Sequence, residues 1–140
     1  MKKLCAFAVT GLLLTAVSPA LADDPLFADM GGQAGIDKLV DISVDNYLAD
    51  DRIKDTFAES NMDRLRAEFK VQFCQVAGGP CVYEGHSMEA AHKGLHLTNA
   101  DFNAVVEDLQ AAMDKCGIGF AVQNRFLARL APYQHQVVTK

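Results

Sequence analysis

Apolar side chains recur three and four positions apart along most of this chain, the spacing that places them on one face of an α-helix. No stretch shows the alternation of apolar and polar residues that is typical of a half-buried strand. The pattern therefore predicts an all-α domain with several short helices and four long ones, at residues 33–49, 61–77, 98–116 and 120–138.

Side chains that cap helices mark the predicted boundaries. Asn61 or Ser60 can accept a hydrogen bond from the free amides at the start of the second long helix. Thr98, with Asp101 three residues later, has the spacing of a capping box at the start of the third. Pro132 lies within the last predicted helix and should kink it, because proline has no amide hydrogen to donate.

One short segment carries a histidine among small and apolar neighbours. Met88, His92 and Leu95 fall on one helical face. A neutral imidazole on such a face is either a core histidine or a metal ligand, and the segment alone favours the core interpretation. His96 lies one turn further on, but no third ligand for a zinc site is evident, and Gly94 weakens the helix between the two histidines.

The first 22 residues predict a secretory signal peptide that is not part of the fold. Two lysines precede an apolar run that is shorter than the ~20 residues a membrane span needs. Ala20, Leu21 and Ala22 form an A-x-A cleavage signal. Cleavage after Ala22 leaves residues 23–140 as one periplasmic or secreted domain, with no membrane attachment.

Net charge limits the classes of partner that this domain could bind, and chain length limits its stability. The formal net charge is −5, and loss of the two leader lysines makes the mature chain more acidic. An acidic domain is not expected to bind nucleic acid or anionic lipid. A chain of this size buries only about two thirds of its unfolded surface, so a disulfide or an apolar cofactor would add useful stability. We expect a monomer or a weak homodimer.

The cysteines agree with export. Cys5 leaves with the leader, and Cys74, Cys81 and Cys116 remain for one bridge and one leftover thiol. Cys74 lies near the end of a predicted helix, and the Gly-Gly-Pro turn at residues 78–80 brings the chain back. We therefore predict a Cys74–Cys81 disulfide, with Cys116 either free or paired between chains.

Four short motifs, in this order and spacing, resemble the group 1 truncated hemoglobins. The resemblance runs over residues 26–135, nearly the whole mature chain. The motifs are Leu-Phe-Ala-Asp-Met-Gly-Gly at 26–32, Asp-Asp-Arg-Ile-Lys at 50–54 with Phe57, Gly-Gly-Pro at 78–80 with Tyr-Glu-Gly at 83–85 and Met-x-x-Ala-His at 88–92, and Phe102 with Glu-Asp-Leu at 107–109.

This resemblance implies a two-over-two helical sandwich around heme b, and reversible binding of a diatomic gas. The histidine that bonds to the iron maps onto His92, and a single axial ligand leaves the opposite site of the iron open. The chain has no Cys-x-x-Cys-His motif for covalent heme attachment. The apolar walls of the heme pocket are assigned to Phe57, Leu65, Phe69, Phe73, Met88, Phe102 and Met113, for each of which ordinary core packing is the alternative.

The distal side departs from the pattern of the family. Many members carry a tyrosine where this chain has Val44 and a glutamine where it has Phe69, and Leu65 is apolar as well. Tyr47 and Glu68 are the nearest polar groups, and either one could restore a polar contact. The remaining histidines, including one where some cyanobacterial members link heme covalently, are interpreted as surface residues: His86, His96 and His135.

Three functional hypotheses follow. The first is a gas-binding globin that takes oxygen, carbon monoxide or nitric oxide without turnover. The second is heme-dependent nitric oxide dioxygenation or peroxidase-like chemistry, which would need a separate reductase or other electron donor. The third, of another class, is a heme-free helical module that uses Cys74, Cys81 and Cys116 as a redox site.

Overall fold

The computed structural model describes residues 25–140, so the predicted signal peptide lies outside the described residues. Within these residues the chain is helical and contains no strand, which confirms the all-α prediction. Short 3-10 helices lie at Lys54–Phe57 and Ala131–Tyr133. The α-helices are α1 (Leu26–Asp29), α2 (Gly32–Ala49), α3 (Met62–Val76), α4 (Met88–His92), α5 (Asn99–Lys115), α6 (Phe120–Leu130) and α7 (Gln134–Val137).

Helix α2 lies at the centre of the packing. It contacts both α3 and α5, while α6 contacts α1, α3 and α5. The inward face of α2 is completely or almost completely buried, which is the fate expected of its apolar stripe. No helix within residues 25–140 is both long and apolar enough to cross a membrane. The buried residues of α2 are Ile36, Leu39, Val40, Ser43, Val44 and Tyr47.

The predicted helix caps are confirmed. The side chain of Asn61 accepts a hydrogen bond from the backbone amide of Arg64 at 2.9 Å, so Asn61 rather than Ser60 caps α3. Thr98 and Asp101 form the reciprocal capping box of α5, in which the amide of Thr98 donates to Asp101 Oδ2 at 2.8 Å. Each cap satisfies backbone donors that have no partner within the helix.

The last predicted helix is divided rather than merely kinked. Helix α6 ends at Leu130, the 3-10 helix that contains Pro132 follows, and α7 begins at Gln134. Proline cannot donate the hydrogen bond that would continue α6, so the α-helical hydrogen-bond pattern is interrupted there. Beyond this interruption, α7 packs against α4.

The structure confirms the Cys74–Cys81 disulfide, with the two Cα atoms 5.8 Å apart. Helix α3 ends in a tight turn in which the amide of Gly79 donates to the Cys74 carbonyl at 2.8 Å. A Cβ atom at Gly79 would lie 2.7 Å from Cys74 Sγ and 2.6 Å from the ring of Phe27, so only glycine fits there. Cys116 is half-buried and carries a free thiol.

We predict that removal of the bridge lowers the stability of the domain. In the chain-entropy model, a loop closed by cysteines seven positions apart contributes roughly 2–3 kcal/mol to the free energy of unfolding. The double substitution Cys74→Ser and Cys81→Ser should therefore lower the midpoint of urea unfolding. Cys116→Ser is the matched control and should leave the midpoint nearly unchanged. Equal midpoints for the double variant and the native protein would contradict the prediction.

Candidate functional site

A cavity of about 410 Å³ opens between the helices. Its walls come from α2, α3, α4, α5, α6, α7 and both 3-10 helices. Most of the side chains that line it are apolar, while charged and hydroxyl-bearing side chains such as Arg64, Glu68 and Tyr83 also border it. The cavity is thus suited to a largely apolar molecule that has a polar edge.

The structure brings together seven of the eight residues that the sequence assigned to the pocket. These residues border the cavity: Phe57, Leu65, Phe69, Phe73, Met88, His92 and Phe102. Met113 does not border it. This residue lies one helical turn beyond Leu109, which is the last α5 residue on the cavity, and its side chain is completely buried in the core instead.

His92 is oriented by its own helix. The side chain of Ser87 caps α4 by accepting a hydrogen bond from the amide of Ala90 at 3.2 Å. His92 Nδ1 lies 2.7 Å from the carbonyl oxygen of Met88, one turn earlier. A carbonyl oxygen can only accept, so Nδ1 carries the proton of the neutral ring, and Nε2 keeps a free lone pair. The half-buried His92 therefore offers one coordinating nitrogen at the cavity.

Stacked aromatic rings build one wall of the cavity. The rings of Tyr47 and Phe57 are 5.8 Å apart and nearly parallel, as are the rings of Phe69 and Phe73. Tyr47 meets Phe69 edge to face at 6.4 Å and joins the two stacks. Such contacts stabilise the wall beyond the burial of apolar area and keep its shape.

The ring of Tyr47 borders the cavity. Ser43, whose hydroxyl donates to the Leu39 carbonyl at 2.8 Å, lies beside the hydroxyl of Tyr47. Burial raises the pKa of Tyr47 well above its ordinary value, which keeps the phenol protonated. The sequence left open whether Tyr47 reaches inward, and the structure places Tyr47 on the wall of the cavity. Val44 is buried and does not border the cavity.

Glu68 forms contacts away from the distal centre of the cavity. Its carboxylate pairs with Arg64 at 3.7 Å along the surface of α3. It also approaches the loop before α4, where a Cβ atom at Gly85 would lie 2.6 Å from Glu68 Oε2. The hydroxyl of Tyr83 donates to the carbonyl of His86 at 3.1 Å in the same loop. These groups place the polarity of the site at the edge where α3 meets this loop.

The other histidines lie where the sequence expected them, on the surface. His86, His96 and His135 are exposed, although His86 also borders the cavity. His96 lies in the loop after α4 and adopts a positive φ of 53°. Within residues 25–140 no group of three His, Cys, Asp or Glu side chains could hold a metal ion.

Sequence reasoning missed several cavity residues. Ile53 and Leu97 are buried on it from connecting segments, where no helical stripe identified them. Leu130, Tyr133 and Val137 reach it from α6, the second 3-10 helix and α7. The apolar spacing of the last predicted helix could have suggested Leu130, but no local signal predicts that the chain after Pro132 returns to the cavity.

An apolar cavity enclosed by helices, with a histidine on its border, is the arrangement found in heme proteins of the globin class. The family model for bacterial-like globins matches residues 25–139. The chain is 36% identical over 93 residues to a group 1 truncated hemoglobin of Tetrahymena thermophila, covering 66% of this chain and 77% of that protein. For a group 1 truncated hemoglobin of Synechocystis the values are 38% over 97 residues, 66% and 78%.

A solved structure shares the fold. The structure is similar to the truncated hemoglobin of Tetrahymena pyriformis in its Fe(III) form, with a TM-score of 0.80 and 29% identity over 82% of this chain and 98% of that one. The chain therefore belongs to the bacterial-like globin family, among its group 1 truncated hemoglobins. The predicted two-over-two sandwich and the heme cofactor are confirmed.

A carboxyl cluster lies behind Tyr47, where α2 meets α5. Arg52 pairs with Asp50 at 2.7 Å and with Glu107 at 2.7 Å, and holds the pKa of Asp50 below its ordinary value. Asp108 Oδ2 is buried and has no hydrogen-bond donor among the described residues. Burial, and then the charge of Asp50, raise the pKa of Asp108. Asp108 is thus less well solvated as a carboxylate than it would be in the unfolded chain.

We predict that Asp108→Asn stabilises the protein at neutral pH. The folded-state pKa of Asp108 is raised, so ionisation costs stability as the pH rises above the ordinary value of ~3.9. The amide of asparagine can donate to Asp50, and the gain should reach about 1 kcal/mol, the lower end of the cost of an unpaired buried acceptor. The measurement is urea unfolding at pH 4 and pH 7.

The difference between Asp108→Asn and the native protein should be larger at pH 7 than at pH 4. Glu107→Gln is the matched control, because Glu107 is exposed and already paired with Arg52, and it should give no gain. A gain that is equal at both pH values would show that ionisation of Asp108 is not the cause.

Proposed function

We propose that this protein is an exported globin that binds a diatomic gas reversibly on heme iron held by His92. The single observation that carries the proposal is the hydrogen bond from His92 Nδ1 to the Met88 carbonyl, at the edge of an apolar cavity. It leaves Nε2 as the coordinating atom of a neutral imidazole. Heme iron that is bound through one axial histidine supplies an open position for oxygen, carbon monoxide or nitric oxide.

The residues of the cavity fit a flat apolar group. The rings of Phe57, Phe69 and Phe73 supply stacked apolar surface, and Phe102 and Leu65 extend it from α5 and α3. Polar groups are concentrated where α3 meets the loop before α4, which suits the propionate edge of heme. An apolar interior also excludes water from the ligand side.

The hydrogen bond of His92 would also tune its bond to the iron. Donation from Nδ1 to a carbonyl oxygen increases the basicity of Nε2 and fixes the plane of the ring. The contact with Met88 is the one hydrogen bond of the His92 ring among the described residues. Nε2 is therefore free to bind the iron. The chain therefore supports a single strong axial bond.

The distal side offers little to hold oxygen. Leu65 and Phe69 are apolar, and the hydroxyl of Tyr47 lies beside Ser43. A gas that becomes partly negative on binding, as oxygen does, is retained by hydrogen-bond donors, whereas carbon monoxide depends on them much less. We infer a protein that favours carbon monoxide or nitric oxide over oxygen.

Export forms part of the proposal. The leader at residues 1–22 and the Cys74–Cys81 bridge both suit an oxidising compartment such as the periplasm. The bridge occupies two of the three thiols that a heme-free redox module would use.

We predict that His92→Ala loosens heme or loses it. Without Nε2 the iron has no axial bond from the chain, so heme content after purification should fall and hemin transfer to an acceptor globin should accelerate. His96→Ala is the matched control, since His96 is exposed and does not border the cavity. Heme content and ligand spectra that are identical in His92→Ala and the native protein would refute the assignment of His92.

We predict fast oxygen release that an introduced donor slows. Leu65→Gln places an amide on the cavity, and a hydrogen bond of ~1.5–3 kcal/mol should slow oxygen release by about 10- to 100-fold. Carbon monoxide release should change much less. Stopped-flow dissociation of both gases is the measurement.

Tyr47→Phe tests whether the distal side is apolar or whether Tyr47 donates a hydrogen bond to the bound gas. It should leave oxygen release unchanged, because the hydroxyl of Tyr47 lies beside Ser43. If Tyr47→Phe instead speeds oxygen release from a native protein that releases it slowly, then Tyr47 is the donor and the distal side is polar.

A further inference from the structure

The helix that carries His92 depends on other parts of the chain for its position. Helix α4 has only five residues, and so short a helix is not stable alone. Loops of irregular structure precede and follow it, at residues 77–87 and 93–98. Among the described helices, α4 packs most closely against α7. The orientation of α4 is therefore set mainly by a helix that lies more than 40 residues later in the sequence.

Backbone hydrogen bonds fasten this later segment in place. The amides of Thr139 and Lys140 both donate to the Leu97 carbonyl, at 2.9 and 3.1 Å. The side-chain amide of Gln134 donates to Asn99 Oδ1 at 2.9 Å. Leu97 lies between α4 and α5, and Asn99 is the first residue of α5, so residues 134–140 contact the chain directly after the His92 segment. We call residues 134–140 the clasp.

The clasp also reaches the cavity itself. Val137 borders the cavity together with Ala91 and His92 of α4. Leu97, to which the clasp is bonded, is buried and borders the cavity as well. The clasp thus adds one apolar side chain, Val137, to the cavity wall that α4 also lines.

The ring of His92 must follow any movement of α4. Its Nδ1 is bonded to the carbonyl of Met88 within the same helix, which restricts rotation of the ring relative to the helix. A tilt of α4 therefore becomes a tilt of Nε2 relative to the cavity. Movement of the clasp would change the direction of the axial bond without any change in His92.

We propose that the clasp is a positioning element for His92, which sets the direction and strength of the axial bond to heme iron. The proposal rests on the proposed function, in which His92 binds the iron. It goes beyond that function because it assigns a role to residues 134–140, which contain no ligand of the iron.

The test compares three variants with the native, heme-loaded protein. One chain ends at Tyr133 and lacks the clasp, and Val137→Ala removes only the apolar contact. His135→Ala is the matched control, because His135 lies in α7 but is exposed and does not border the cavity. The measurements are the rate of hemin transfer to an acceptor globin, the iron–histidine stretching band in resonance Raman spectra of the ferrous protein, and amide hydrogen exchange.

Loss of the clasp should speed hemin transfer about tenfold or more, equivalent to ~1.4 kcal/mol. It should also shift or broaden the iron–histidine band, which simple loosening of the fold far from the iron would not do. Val137→Ala should give smaller changes in the same direction, and His135→Ala none. Amides of residues 88–97 should exchange faster in the shortened chain, while those of α2 keep their protection.

The outcomes separate this proposal from the proposed function. If the native protein has no iron–histidine band that His92→Ala abolishes, the function assigned to His92 fails, whereas hydrogen exchange still reports on the clasp. If that band exists but the shortened chain keeps its position, its hemin transfer rate and the exchange of residues 88–97, the clasp has no positioning role. If the shortened chain does not fold, an unchanged band and unchanged exchange in Val137→Ala would overturn the proposal.

Discussion

The hydrogen bond between His92 Nδ1 and the Met88 carbonyl is the contact on which the site depends. It selects the tautomer in which Nε2 is free, and it makes the ring rigid relative to a helix of a single turn. The problem of placing the coordinating nitrogen therefore becomes the problem of placing α4. The disulfide-closed turn precedes α4 in the sequence, and α7, which belongs to the clasp, packs against α4.

The cavity and the small size of the domain are connected. A chain that encloses an apolar space cannot fill it with its own side chains, so part of its interior surface gains little from packing. Stacked aromatic pairs stiffen the wall of the cavity. The fully buried stripe of α2 forms the tightly packed part of the core. Heme would complete the packing of this interior, so folding and cofactor binding favour each other.

Local patterns predicted most of the architecture. Apolar spacing located the long helices, Asn61 and Thr98 located their starts, and the turn at residues 78–80 placed Cys74 near Cys81. Each of these features involves residues close in sequence, and for this reason local chemistry reveals them. The family resemblance added the arrangement of the helices and the candidate role of His92, which periodicity alone could not supply.

The features that were missed depend on contacts between distant parts of the chain. Met113 continues the same apolar stripe as Leu109. The first part of this stripe borders the cavity and the later part packs in the solid core. Apolar spacing alone cannot tell which residues do which. The amides of Thr139 and Lys140 bond to the Leu97 carbonyl, and nothing in the local sequence after Pro132 predicts this contact.

The turn after α3 restricts how this chain can change over generations. The missing side chain of Gly79 leaves the space that Cys74 Sγ and the ring of Phe27 occupy, so any larger residue there would collide with the bridge. The glycine can therefore be replaced only after the cysteine is lost and the ring of Phe27 has also been replaced or has moved, whereas the cysteine can be lost while the glycine stays. Lineages that abandon the bridge should change residue 79 only where residue 27 carries a smaller side chain, and the reverse order should be rare.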